Sequence, residues 1–141
     1  MVRTKIPVLL LALALSSPGL ASPPYGRVCA QVLKQWIFEK KRVLIVDTQS
    51  PEEFAEHNYE GSVPAGDAKE KLTALARANS SNDLTVVVVS ETGGEAAVRA
   101  ASILESNGIG APRLLILEAG MEGALSGLDT CCGAGGGAKP R

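Results

Sequence analysis

Residues 84–108 of this 141-residue chain have the sequence LTVVVVSETGGEAAVRAASILESNG, and this stretch decides the fold. The segment from Leu84 to Val89 is apolar, rich in β-branched residues and without alternation, which is typical of a central parallel strand covered on both faces. Ser90 to Gly94 is turn sequence, and Glu95 to Asn107 is predicted to be a helix that Gly108 can end with a positive φ. The stretch therefore predicts one strand–loop–helix unit of a parallel sheet.

The flanking sequence repeats this alternation of strands and helices. Two further apolar runs, Val43–Val46 and Arg113–Leu117, are predicted strands. Capping-box residues Ser50 with Glu53, and Asp67 with Glu70, indicate where two helices begin. The predicted helices are an amphipathic helix from Val28 to about Lys40, a brief helix over Pro51–His57, a helix from Asp67 to about Ala78, and a short segment near Met121–Leu125. The expected architecture is α/β, with a central parallel sheet flanked by helices on both faces.

Composition supports one globular core and excludes one class of function. Hydrophobic residues make up 45% of the chain and charged residues 21%, which is ordinary for a folded domain. The formal net charge of -1 lacks the basic excess that binding to a phosphate backbone requires. We therefore expect no nucleic-acid partner.

The N-terminal residues 1–21 have the pattern of a secretory signal peptide. Arg3 and Lys5 precede an apolar run from about Ile6 to Leu15, and Gly19-Leu20-Ala21 places small residues at the cleavage site. A membrane-spanning helix needs roughly 20 apolar residues, so this run is too short to remain as an anchor. A buried N-terminal helix is the less favoured alternative. We expect an exported protein, periplasmic or secreted, with no stable membrane anchor and a net charge of -3 after cleavage.

The mature chain divides into an extended leader (22–27), one domain (28–129) and a flexible, glycine-rich tail (130–141). Three cysteines, Cys29, Cys131 and Cys132, are expected to meet an oxidising environment after export. They could form a structural bridge between Cys29 and the tail, supply thiol or soft-metal chemistry from Cys131 and Cys132, or have no defined role. The spacing matches no structural zinc motif, so this adjacent pair is a weak metal candidate.

Three separated segments together resemble the rhodanese-like sulfurtransferase domain. They are LIVDTQSPEEFAEHNYEGSVPAG (44–66), VVVVSETGGEAAVRAASILESNG (86–108) and LLILEAGMEGALSGL (114–128). In that family a strand ending in Asp-x-Arg leads to a Ser/Thr-Pro-x-Glu-Phe helix and a His-containing turn. The next strand enters the catalytic loop, and a Gly-Gly-x-x-x-Trp segment closes the domain. The resemblance spans about Gln31 to Leu128.

The resemblance implies that the catalytic loop has lost its chemistry. The family loop is Cys-x-x-Gly-x-x-Ser, and its Cys, Gly and Ser fall here on Ser90, Gly93 and Ala96. The matching loop comprises Ser90, Glu91, Thr92, Gly93, Gly94, Glu95 and Ala96. A serine hydroxyl cannot form the persulfide that a thiolate carries, so rhodanese-type sulfur transfer from this loop is not expected.

Other positions of the resemblance also depart from the family pattern. Glu91 stands where an Arg is frequent, and Glu91 and Glu95 would each disfavour an anion by about 1 kcal/mol at an exposed site. Asp47 is retained, but Gln49 occupies the place of the family's Arg, which predicts a lost polar contact. Leu125 replaces the usual Trp. The anion site is therefore expected to be disabled as well.

A hydrolase centre on Ser90 is the weaker hypothesis. It would need a base, and His57 is the one histidine of the chain. We expect His57 to be structural, Ser90 to close its loop, and Asp47 to fix a loop by accepting N–H hydrogen bonds rather than to act as an acid or base. Thr92 and the two following glycines are expected to be turn residues, because no lysine accompanies them as in a phosphate-binding loop.

The sequence thus predicts a binding or regulatory module without a catalytic centre or cofactor, whose partner is an unidentified protein or small molecule. The alternative is a sulfurtransferase, or a carrier of thiols or soft metals, that uses Cys131 or Cys132 in place of Ser90.

Overall fold

Five parallel strands form the centre of the computed structural model, which describes residues 25–127. The strands are β1 (Gly26–Val28), β2 (Val43–Asp47), β3 (Val63–Pro64), β4 (Thr85–Val89) and β5 (Leu114–Leu117). Their order across the sheet is β1-β5-β4-β2-β3, and every neighbouring pair is parallel. The apolar run of residues 84–89 thus forms the middle strand, β4, as its continuous hydrophobicity predicts.

Helices cover both faces of this sheet. They are α1 (Ala30–Phe38), α2 (Pro51–Glu56), α3 (Lys69–Asn79), α4 (Glu95–Ser106) and α5 (Gly120–Ser126), with a 3-10 turn at Ala111–Arg113. Alternate residues of each strand point to opposite faces. Val86 and Val88 therefore pack with α3 and α4, whereas Val87 and Val89 pack with α1 and α5. This confirms the predicted α/β fold with a parallel sheet between two helical layers.

Three local features differ from the sequence prediction. Gly26–Val28 forms an edge strand beside β5, where an extended leader and the first turn of a helix are expected. Val63–Pro64 pairs with β2 inside a passage that reads only as turns. Helix α3 begins at Lys69 with Ala68 as its N-cap and no side-chain cap, so the predicted capping by Asp67 is wrong.

The described range leaves part of the sequence prediction untouched. The expected signal peptide (1–21), the first three residues of the leader (22–24) and the tail with Cys131 and Cys132 lie outside residues 25–127. Within that range, each helix is too short or too polar to span a bilayer.

Candidate functional site

The candidate site lies at the carboxyl end of β4, where the chain turns from the middle strand into α4. Strand β4 ends at Val89 and α4 begins at Glu95, so the loop consists of Ser90–Gly94. In open parallel sheets, ligands bind at this edge, in the crevice outside the strand ends. The fold thus places the predicted loop where a site is expected.

Ser90 closes this loop with its own side chain. Only 2% of the residue is exposed, and its Oγ accepts a hydrogen bond of 2.8 Å from the Gly93 backbone N–H. Gly93 has a φ of +73°, and a Cβ there would lie 2.6 Å from the Leu117 carbonyl oxygen. The Ser90 hydroxyl is therefore directed into the loop, and the turn that it stabilises requires glycine.

Residues of helix α5 and strand β1 donate hydrogen bonds to the same loop. The backbone N–H groups of Met121 and Glu122 donate to the carbonyls of Ser90 and Glu91, over 2.8 and 2.9 Å. The Arg27 guanidinium donates to the Gly93 carbonyl at 3.0 Å. The sequence does not predict these three donors. Arg27 lies in a leader without a hydrophobic pattern, and a backbone N–H donor does not depend on the identity of its side chain.

A pocket of about 190 Å³ opens beside the loop and is strongly acidic. Four of its side chains are carboxylates, and the full lining comprises Gln49, Glu53, Glu56, His57, Glu91, Met121, Glu122 and Leu125. The structure therefore groups Glu91 with three glutamates that sequence inspection did not assign to the site. Glu95 is not in this lining and faces Arg99 one helical turn away, at 4.0 Å.

A second pocket, of about 300 Å³, shares part of this lining. Glu56, His57, Met121 and Leu125 belong to both pockets, and Lys34 supplies a cation to the second. Leu125 is 57% exposed, which places an apolar surface at the mouth of both pockets. His57 is also exposed and lines this surface. The hydrogen-bond partner of the Ser90 hydroxyl is the Gly93 backbone amide and not His57.

Asp47 and Gln49 form a buried polar pair next to the pocket. Asp47 is fully buried; its two carboxylate oxygens accept hydrogen bonds from the Gln49 backbone N–H (2.8 Å) and the Gln49 side-chain amide (3.0 Å). Burial raises the pKa of the Asp47 carboxyl, and the hydrogen bonds from Gln49 oppose this shift.

The Gln49 side chain makes polar contacts of its own. The Gln49 amide also donates to the His57 carbonyl at 3.2 Å, so it links the end of β2 to the end of α2. A glutamine is long enough to make both contacts. Unlike the arginine of the family pattern, its neutral side chain places no positive charge beside the acidic pocket.

The described residues contain one of the three cysteines. Cys29 is the N-cap of α1, is 8% exposed and is disulfide-bonded. The sequence has two other cysteines, Cys131 and Cys132, both outside the described range. Between Tyr25 and Gly127, no group of three or more His, Cys, Asp or Glu side chains is arranged to hold a metal ion.

Comparison with known proteins identifies the family. The family model of the rhodanese-like domain matches residues 30–126, so this chain belongs to the rhodanese-like domain family. No curated protein matches it significantly.

Solved structures of the family share its fold. A rhodanese-like domain protein from Staphylococcus aureus is 25% identical, covers 70% of this chain and 90% of its own, and superposes with a TM-score of 0.53. The human single-domain sulfurtransferase is 15% identical, with coverages of 75% and 97% and a TM-score of 0.56. A yeast protein tyrosine phosphatase of the rhodanese family is also 15% identical, with coverages of 75% and 88% and a TM-score of 0.60.

Proposed function

We propose that this chain is an exported, non-catalytic binding module of the rhodanese-like family, in which Ser90 stands at the position of the sulfur-carrying cysteine. One observation carries this proposal: the Ser90 hydroxyl is buried and accepts the Gly93 N–H at 2.8 Å. An oxygen held in this way serves the loop's own structure. The signal-peptide pattern of residues 1–21 is the basis for the proposed export.

The chemistry of oxygen supports the same conclusion. Sulfur transfer requires a thiolate that attacks the donor and then holds the transferred sulfur as a persulfide. A hydroxyl cannot hold sulfur in that form, and it ionises far above neutral pH unless a base accepts its proton. We therefore propose that the activities by which the human and yeast relatives are described, sulfurtransferase and tyrosine phosphatase, are not shared by this loop.

The charge of the adjacent pocket also opposes an anionic substrate. Glu53, Glu56, Glu91 and Glu122 line the space that thiosulfate or a phosphate ester would have to enter. At surface sites each carboxylate raises the free energy of a bound anion by about 1 kcal/mol. The ligand of the binding module is therefore expected to be neutral or positively charged.

The proposal predicts that Ser90→Cys alone gives little thiosulfate turnover. The substitution restores a thiol, but the four carboxylates remain and still repel the donor. Purified mature protein, Ser90→Cys, and Ser90→Cys combined with Glu91→Gln and Glu122→Gln would be given thiosulfate and cyanide, and thiocyanate formation measured. We expect turnover to increase in the order parent, single variant, triple variant. Robust turnover from Ser90→Cys alone would contradict the role assigned to the carboxylates.

The alternative sulfurtransferase, based on the tail cysteines, is tested in the same assay. A Cys131→Ser/Cys132→Ser double variant serves as the control for the parent protein. Thiocyanate formation by the parent that disappears in the double variant would overturn the non-catalytic proposal. A persulfide trapped on any cysteine of the parent would do the same, whereas thiol-dependent binding of Cu(I) or Hg(II) would favour a metal carrier.

We also propose that the partner of Cys29 in its disulfide is Cys131 or Cys132. Cys29 is bonded, and these are the two other cysteines of the chain. An odd number of cysteines then leaves one thiol outside this bridge. Alkylation of free thiols followed by mass spectrometry identifies which of the two remains.

A further inference from the structure

A groove of about 510 Å³ lies at the opposite end of the sheet from the acidic pocket. It is bordered by the end of α1, the beginning of β2 and the turn before β3, and is lined by Ile37, Phe38, Lys40, Lys41, Val43, Ile45, Glu60 and Gly61. Phe38 is 87% exposed, the larger exposure of the two exposed large hydrophobic side chains in the described range. Exposed aromatic side chains beside a groove are typical of binding surfaces.

Two lysines that follow α1 line this groove, and one of them has an unfavourable left-handed backbone conformation. Lys40 has a φ of +53°; its N–H donates to the Ile37 carbonyl and the Lys41 N–H donates to the Trp36 carbonyl. These two hydrogen bonds form a Schellman motif, in which the position of Lys40 usually belongs to glycine. A lysine at this position makes the fold less stable than a glycine would. The presence of the Lys40 side chain beside the groove therefore needs an explanation.

One edge of β2 is open next to these lysines. Strand β2 pairs with β4 along all of Val43–Asp47, but β3 pairs only with Val46 and Asp47. Among the described residues, no strand lies beside Val43–Ile45 on the β3 side. An unpaired strand edge is a template for an added strand, because its backbone N–H and C=O groups are arranged to bond one.

We propose that this groove docks an extended, acidic segment of a partner protein, which adds as a strand to β2 at Val43–Ile45. Its apolar side chains would pack on Phe38, and its carboxylates would lie near Lys40 and Lys41. Lys40 makes no ion pair within residues 25–127, and the contact of Lys41 with Glu39 is a solvent-exposed one of 3.6 Å. Both charges are therefore available to a partner.

The shape of the site favours a peptide over an anionic membrane. A concave groove beside an open strand edge offers backbone hydrogen bonds to an extended chain, whereas a bilayer presents a flat surface without such donors. Glu60 is the one acid in the lining, and the two lysines outweigh its charge, so the groove carries a net positive charge. This inference does not depend on the proposed function at the other end of the sheet.

An array of synthetic peptides tests the proposal. Extended peptides of about six residues, with valine or phenylalanine alternating with glutamate, serine or lysine, would be titrated into the labelled full-length protein. We expect the glutamate set to bind at least about tenfold more tightly than the lysine set, with an affinity that falls as salt increases. N-methylation of alternate backbone nitrogens is expected to abolish binding, because it removes the donors of the added strand.

Two variants with matched controls locate the site. Phe38→Ser should weaken the glutamate peptides about tenfold, while Leu125→Ser, which removes the exposed leucine of the acidic pocket, should not change their affinity. Lys40→Gly should weaken them several-fold and also raise the thermal unfolding midpoint, so that lost binding cannot be attributed to lost structure. Lys71→Ser removes an exposed cation from α3 and should leave the affinity unchanged.

Other outcomes would overturn the proposal. Equal binding of the glutamate and lysine sets, or binding that survives Phe38→Ser, would do so. Binding to phosphatidylserine-containing vesicles that requires Phe38, with no binding of any peptide, would assign the groove to a membrane instead. Dimerisation in sedimentation experiments that Phe38→Ser abolishes would assign it to a second copy of the chain.

Discussion

At the residue scale, the buried Asp47 makes the stability of this fold depend on pH in a definite direction. Burial raises the pKa of its carboxyl above the ordinary value of 3.8, so the native state binds the proton more tightly than the unfolded chain does. The stabilisation from this proton is complete below the unfolded pKa of about 4 and is lost as the pH rises through the higher native pKa.

Asp47→Asn is therefore expected to remove one component of the pH dependence. Urea unfolding of parent and variant would be compared between about pH 4 and pH 7, so that other titrating groups cancel in the difference. We expect the free energy of unfolding of the variant, relative to that of the parent, to increase as the pH rises. The altered hydrogen bonds to Gln49 lower the stability of the variant at every pH and do not change this trend. A parallel pH profile for Asp47→Asn would contradict the raised pKa.

At the element scale, the packing of α5 against the Ser90–Gly94 loop depends on Gly120. This residue has a φ of +59°, and a side chain there would overlap the backbone carbonyls of Ser90 and Glu91. Gly127, at the other end of α5, has a φ of +69°, and a Cβ at that position would meet no atom within 4 Å. The two glycines share a positive φ and differ in the space around them.

This pair separates conformational strain from steric overlap in one experiment. Gly127→Ala should lower the free energy of unfolding by about 1 kcal/mol, the cost of a left-handed conformation. Gly120→Ala should lower it by about 3 kcal/mol, because displacement of the loop adds to that cost. Chemical denaturation measures both values. Similar losses for the two variants would mean that the loop can move away from α5 without penalty.

At the scale of the whole molecule, the sequence predicts what is local or strongly patterned. The capping box of Ser50 and Glu53 is present at the start of α2, because both of its hydrogen bonds are made within one turn. The similar Asp67 and Glu70 pattern does not cap α3, which shows that side-chain signals at helix ends can be overridden by tertiary structure.

What the sequence does not predict depends on contacts between distant segments. Strand β1 has three residues and no hydrophobic pattern, and it exists because β5 lies beside it. The acidic pocket combines glutamates of α2, the loop and α5, three segments whose proximity follows only from the sheet order. The loop sequence indicates the place of the candidate site, and the tertiary fold determines its charge.

The proposed bridge from Cys29 to the tail gives a last prediction for the whole chain. A disulfide to Cys131 or Cys132 would close a loop of about 100 residues, and such bridges stabilise small exported domains by roughly 2–5 kcal/mol. Reduction with dithiothreitol should therefore lower the free energy of unfolding of the mature protein by this amount, as should Cys29→Ser without reductant. The variants Cys131→Ser and Cys132→Ser, measured separately, identify the partner: only the cysteine that pairs with Cys29 should reproduce the loss. If dithiothreitol and Cys29→Ser both leave the stability unchanged, the bridge contributes nothing to the fold, and Cys29 acts only as the N-cap of α1.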